Sequence, residues 1–118
     1  MKYMLLIYQD ENGLSEPERM QCYQESAQFA QDLSTSGKYL AAGPLHPTST
    51  ATSVRVRDGK RLVTDGPFAE TREQLGGYFL VDAKDLDDAL DIAGHIPAGK
   101  WGTVEIRPVV EIPGLPAN

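Results

Sequence analysis

DGPFAETREQLGGYFLVD, residues 65–82, decides the fold, because it joins a rigid turn, a polar loop and the start of an apolar strand. Proline fixes its own φ and moves the preceding residue away from helical geometry, a restriction that Gly66 tolerates before Pro67. The pair Gly76–Gly77 lets another backbone or a ligand come close where the strand begins. We therefore expect an elaborate loop between two strands, a type of segment that often carries binding residues.

Outward from this stretch, hydrophobic periodicity and capping residues predict two helices, about Ser15–Ser36 and Asp85–Ile96. Extended segments occupy about residues 2–8, 39–42, 78–81 and 104–107, and a hairpin turns at Asp58–Gly59. The order β-α-β, hairpin, β-α-β predicts an α+β fold, a ferredoxin-like sandwich with an inserted β-hairpin. The apolar stripes that we expect to face the sheet are, for the first helix, Met20, Tyr23, Ala27, Ala30 and Leu33, and for the second Leu86, Ala89, Leu90 and Ala93.

Composition indicates one small globular domain. The 118 residues are 41% hydrophobic and 24% charged, and we assign 1–112 to the domain and 113–118 to a flexible tail. A net charge of −6 argues against nucleic-acid binding. No apolar run approaches the roughly 20 residues that span a bilayer. The lone Cys22 and the absence of a leader-like start predict a cytoplasmic location.

Several stretches resemble the YCII-related family and, within it, the DGPF-domain group, which is named for residues 65–68. The other stretches that carry the resemblance are KYMLLIY at 2–8, TATSVRVRDGK at 50–60 and VEIRP at 104–108. The resemblance covers nearly the whole chain, and it implies the dimeric α/β-barrel version of the ferredoxin-like fold. Proteins that resemble this chain often occur beside or fused to alternative sigma factors.

Some members of that family carry a His–Asp pair that is proposed as a catalytic dyad. When this chain is aligned through Gly37 and residues 42–45, the two positions fall at about Ser26 and Thr35. Neither side chain is a base with a pKa near neutrality. An acid–base group would therefore have to come from the signature region.

The strands predict a homodimer on physical grounds. Residues 3–8 and 78–81 are apolar on both faces, and such strands need cover on both sides. Right-handed crossovers place both helices on one face, so a second copy is the simplest cover for the other. The alternative is that the hairpin folds across that face within one chain.

The candidate catalytic residues are Asp65, His46 and Glu73, and the candidate ligand-binding residues are Tyr78, Glu70 and Arg55. Each also has a structural interpretation. Asp65 is a base or a cap on the Gly66–Pro67 turn, and His46 is an ordinary loop histidine. Tyr78 presents its hydroxyl to a cavity or packs in the core.

Glu70 and Glu73 share a face of a short helical turn that a weak capping box, Thr71 with Gln74, predicts. As a pair they serve acid–base chemistry or are simply solvated. The basic side chains near Arg55 bind a small anion or form a solvated strand face.

The spacing of histidine and cysteine fits no metal site, and no glycine-rich loop opens a helix to hold a phosphate. We therefore expect neither a metal nor a cofactor. Two functions remain open. One is a small-molecule-binding or cofactor-independent enzyme-like protein, with isomerase- or lyase-like chemistry. The other is a non-catalytic ligand-sensing or accessory module associated with sigma-factor-type regulation.

Overall fold

The structure is a computed structural model that describes residues 1–116, so Ala117 and Asn118 of the expected tail lie outside it. The helices are α1 (Glu16–Thr35) and α2 (Leu86–Gly94). The strands are β1 (Lys2–Gln9), β2 (Tyr39–Pro44), β3 (Thr52–Arg57), β4 (Lys60–Asp65), β5 (Gln74–Asp82) and β6 (Gly102–Pro108). Short 3-10 turns cover Thr48–Thr50 and Pro97–Trp101. None of the helices within 1–116 is both long and apolar enough to cross a membrane.

Four strands form one antiparallel sheet in the order β2-β5-β1-β6, and β3 pairs with β4 in a separate two-stranded sheet. Both helices connect strands of the larger sheet. This is the ferredoxin-like arrangement with an inserted hairpin, as the order of elements predicts.

The helix boundaries follow the expected capping chemistry. Ser15 and Glu18 form a complete capping box at the start of α1, and the Asp85 side chain accepts from the Asp88 N–H at the start of α2. Gly37 has φ +78 just after α1, where the left-handed conformation allows the Lys38 N–H to reach the Leu33 carbonyl at 2.9 Å. The predicted helices are therefore confirmed to within two residues.

The core lies between the helices and the inner face of the sheet, with Leu5 and Val81 fully buried. Phe29 of α1 meets Phe79 of β5 edge to face, with ring centroids 5.5 Å apart. That contact holds α1 over β5.

The predicted stripes are wrong in part, since Met20, Leu86 and Leu90 are each more than half exposed. The buried helical residues are Cys22, Leu33, Ala89, Ile92 and Ala93. Neighbouring stripes satisfy the same helical period, so periodicity alone did not select the inward face.

The prediction of a short helical turn from Thr71 and Gln74 is also wrong. Gln74 instead begins β5, and its Nε2 donates to the Thr71 carbonyl at 2.7 Å. The Thr71 hydroxyl donates to the Glu73 carbonyl at 2.6 Å. These local side-chain bonds take the place of helical backbone bonds.

Gly66 has φ +100, so the turn before Pro67 needs glycine, as expected. Its N–H donates to the Ala51 carbonyl at 2.7 Å, and its carbonyl accepts from the Ser53 hydroxyl at 2.8 Å. The Asp65 carboxylate makes no hydrogen bond to any described residue. The backbone and Ser53 therefore hold this turn without a cap from Asp65.

The hairpin projects from the rest of the chain. Asp58 and Gly59 have φ +52 and +73, as a tight two-residue turn requires. Val54 pairs with Val63, and Val54, Val56, Leu62 and Val63 are each at least 50% exposed. The hairpin therefore does not bury its apolar side chains on its own sheet, and the single-chain alternative for covering the outer face is wrong.

A glycine contact between β2 and β5 gives the first stability prediction. A Cβ added at Gly77 would lie 3.0 Å from the Gly43 carbonyl oxygen and 3.3 Å from the Pro44 Cα. Both are backbone atoms of a paired strand, so Gly77→Ala should lower the free energy of unfolding by about 1–3 kcal/mol. Urea denaturation measures the change.

Gly94→Ala is the matched control, because a Cβ at Gly94 meets nothing within 4 Å. Gly94 is the last residue of α2, where alanine is a better helix former. We expect unchanged or increased stability. Equal losses in both variants would contradict the close strand contact.

The ion pair between Lys38 and Asp88 gives a pH prediction. Lys38 Nζ donates to Asp88 Oδ1 at 2.8 Å and the Lys84 N–H donates to Oδ2 at 3.0 Å. The Lys38 contact, followed by the Lys84 N–H, lowers the pKa of Asp88. A carboxylate with a lowered folded pKa stabilises the fold above its unfolded pKa of about 3.9, and the contribution is lost as pH falls further.

We therefore expect Asp88→Asn to be less stable than the wild type at pH 7 and to converge with it in acid. Denaturation between pH 7 and pH 2.5 measures this. Asp87→Asn is the control, since Asp87 shares the first turn of α2 and its carboxylate has no hydrogen bond to a described residue. A parallel pH dependence for the wild type and Asp88→Asn would contradict the role of this pair.

Candidate functional site

A cavity of about 290 Å³ lies between α1 and the sheet, where β1, β2 and β5 meet. One face of α1 supplies Cys22, Tyr23, Ser26, Ala27 and Ala30, at the spacing of a single helical stripe. Strand residues that face them include Ile7, Gln9, Tyr39, Gly43, Gly77 and Phe79.

Small residues create this space. Ser26, Ala27 and Ala30 shorten the facing surface of α1, and the close approach at Gly77 brings the β2 backbone against β5. Because neither side fills the gap with a large side chain, a cavity remains next to a packed core. Tyr23 and Ala27 are exposed, which places the opening along this edge of α1.

The described wall contains no carboxylate, histidine, lysine or arginine. Its titratable groups are the Cys22 thiol and the hydroxyls of Tyr23 and Tyr39. Burial raises the pKa of Cys22, and the neighbouring Ser26 side chain only partly offsets this. A thiol with a raised pKa is a poor nucleophile at neutral pH.

Gln9 brings an amide group into this wall. Its Oε1 is buried and has no hydrogen-bond partner among residues 1–116. Buried polar atoms of folded proteins are paired in the great majority of cases, so this oxygen stands apart from the rest of the core.

Most of the candidate residues lie elsewhere. Asp65, His46, Glu70 and Arg55 are exposed and do not line the cavity. Glu73 is half-buried, and its Oε1 accepts from the Thr103 hydroxyl at 3.0 Å. A single chain therefore does not bring the three candidate catalytic groups to this cavity.

Tyr78 is the candidate that does line the cavity. It pairs with Leu6 of β1 and Gly43 of β2, so its side chain lies on the outer face of the sheet, away from Phe79. A Cβ on Gly43 would be 3.3 Å from the Tyr78 ring. The ring thus packs over the Gly43 position on the outer face of the sheet.

The site residues that the sequence did not single out are Gln9, Tyr39 and the small residues of α1. One signal was available, because the family resemblance places the histidine of the proposed dyad at about Ser26. That position faces the cavity, whereas Thr35 is exposed and donates to the Gln31 carbonyl at 3.1 Å. Within residues 1–116, no three potential metal ligands cluster.

A solved structure shares the fold. The 5-chloro-2-hydroxyhydroquinone dehydrochlorinase of Burkholderia phenoliruptrix AC1100, in complex with 2,5-dihydroxybenzoquinone, superposes with a TM-score of 0.55. The similarity covers 93% of this chain and 94% of that chain at 13% sequence identity. It supports the α+β ferredoxin-like architecture.

Sequence comparison gives a nearer relative. An uncharacterised protein of Rhizobium meliloti (strain 1021) is 38% identical in a 118-residue alignment that covers 92% of this chain and 92% of the relative. The YCII-related domain matches residues 1–113. The chain therefore belongs to the YCII-related domain family.

Proposed function

We propose that this protein binds a small, largely apolar molecule in the cavity between α1 and β5. The observation that supports the proposal most directly is a preformed space of about 290 Å³ with a mainly apolar wall. Ligand sites are typically concave and apolar, with a few polar groups that fix orientation. Here those groups are the Gln9 amide, the Ser26 hydroxyl and the hydroxyls of Tyr23 and Tyr39.

The volume sets the size of the ligand. An engineered apolar cavity of about 150 Å³ is enough to bind benzene. A space nearly twice as large suits a single ring with one or two substituents. The quinone bound by the dehydrochlorinase of similar fold is also a single ring, which makes substituted single rings sensible first test compounds.

Within this proposal, ligand binding has more support than acid–base catalysis by the signature residues. Asp65 is exposed and lies outside the cavity, and Ser26 occupies the position of the family histidine. Cofactor-independent, enzyme-like chemistry would have to use the hydroxyls of the wall. A non-catalytic ligand-sensing role is the second candidate, favoured by the solvent-facing Asp65. An association with sigma factors rests on the family resemblance alone.

The proposal also includes a homodimer. The chain exposes 8353 Å², whereas a compact monomer of its mass exposes about 6,300 Å². Its radius of gyration is 16.0 Å, against about 13.5 Å for a compact chain of this length. The exposed hairpin contributes to this excess, and a second copy that covers the hairpin and the outer face of β1 and β5 would reduce it.

The binding proposal predicts that filling the cavity abolishes binding. Ala30→Phe introduces a ring from α1 into the space, so affinity for single-ring compounds should fall at least about tenfold while the fold is kept. Titration calorimetry with substituted phenols and benzoquinones measures it.

Gln31→Phe is the matched control, because Gln31 is exposed next to Ala30 and does not line the cavity. Asp65→Asn tests the signature carboxylate in the same assay. We expect wild-type affinity for both variants. Binding that survives Ala30→Phe but fails in Asp65→Asn would move the site to the signature loop.

The dimer is tested by light scattering at micromolar concentration, where we expect twice the chain mass of 12.9 kDa. A stable interface should bury more than about 1,000 Å² in total. Val63→Glu places a charge on the apolar hairpin face and should shift the mass toward the monomer.

Thr64→Glu is the control, since the neighbouring side chain points to the opposite hairpin face. A wild-type mass of 12.9 kDa would contradict the dimer. A dimer that persists in Val63→Glu would restrict the interface to the sheet.

A further inference from the structure

Gln9 Oε1 is a buried acceptor without a hydrogen bond to any described residue. An unpaired buried acceptor lowers stability, and such atoms are rare in folded proteins. Where they persist at a cavity wall, they are candidates for contact with a bound molecule. The two neighbouring polar side chains at this end of β1 are already engaged: Gln74 Oε1 accepts from the Glu11 N–H at 3.0 Å, and Glu11 accepts from Thr48.

The position of Gln9 follows from strand geometry. Side chains alternate along β1, so Gln9 continues the inward row of Leu5 and Ile7 and ends that row with an amide. The pairing of β1 with β5 shifts after Ile7, where Tyr8 pairs with Leu75, and such irregularities redirect side chains near functional sites. Gly76 provides room, because a Cβ there would lie 3.4 Å from Gln9 Nε2.

We propose that Gln9 is the specificity-determining residue of the cavity and that it selects ligands with a hydroxyl or amine on a single apolar ring. This inference rests on the proposed function. No described residue donates a hydrogen bond to Oε1, so rotation of the amide toward the cavity breaks no hydrogen bond to that oxygen. The last side-chain torsion of glutamine also has a broad range of allowed angles. A donor on a ligand that enters this mainly apolar cavity would pair with Oε1 and fix the orientation of the ring.

Phenol and toluene test this, because they have nearly the same shape and differ in a hydroxyl against a methyl group. Affinities of both are measured for the wild type, Gln9→Met and Gln31→Met. Methionine keeps the length of the side chain without the amide. The control Gln31→Met makes the same substitution outside the cavity. We expect the ratio of phenol to toluene affinity to fall about tenfold in Gln9→Met and to stay constant in Gln31→Met.

The side-chain amide resonance of Gln9 gives a second measurement on the wild type alone, which is informative even if Gln9→Met fails to fold. Phenol should shift this resonance much more than toluene does. The proposed role of Gln9 is wrong if both compounds bind and shift the Gln9 amide resonance equally. It is also wrong if the ratio of phenol to toluene affinity is the same in Gln9→Met as in the wild type. In either case the proposal that the cavity binds a ligand stands. If neither compound binds the wild type, both proposals are wrong.

Discussion

The contact between Gly43 and Gly77 is the constraint on which the site depends. A methyl group at Gly77 would stand only 3.0 Å from the Gly43 carbonyl, so β2 reaches β5 at this point only because the side chain is missing. Pro44 and Tyr39 of β2 line the cavity together with residues of α1. There the short side chains of Ser26, Ala27 and Ala30 leave the space that the strands do not fill. The pairing of β2 with β5 and the cavity beside it therefore both depend on small residues at this point of the fold.

The fold could be predicted from the sequence because its determinants are local. Nearby hydrogen bonds or backbone conformation specify the boundaries of the elements. They do so at the Ser15–Glu18 capping box, at Asp85 and at the Asp58–Gly59 turn. The face that each helix buries depends on tertiary packing instead. Neighbouring stripes of α2 have the same period, and only packing selects Ile92 over Leu86.

The site was harder to predict for a related physical reason. The sequence directs attention to ionisable groups in and near rigid loops, but Asp65, at the end of β4, and His46, in the loop after β2, are both exposed to solvent. The cavity is defined by residues that are small or apolar, and these carry no chemical signature. Gly76–Gly77 gave a correct indication, because the diglycine does mark a close backbone approach. Gln9 gave none, since an amide at the end of a strand becomes informative only when its surroundings are known.

We expect the cavity beside α1, and not the signature loop, to be the ligand site. Backbone amide spectra recorded during titration with phenol test it most directly, because they report on every region at once. The account predicts shifts concentrated at Ser26, Ala30 and Gly77, with residues 65–73 nearly unaffected. Shifts concentrated at residues 65–73, or none at saturating phenol, would contradict it.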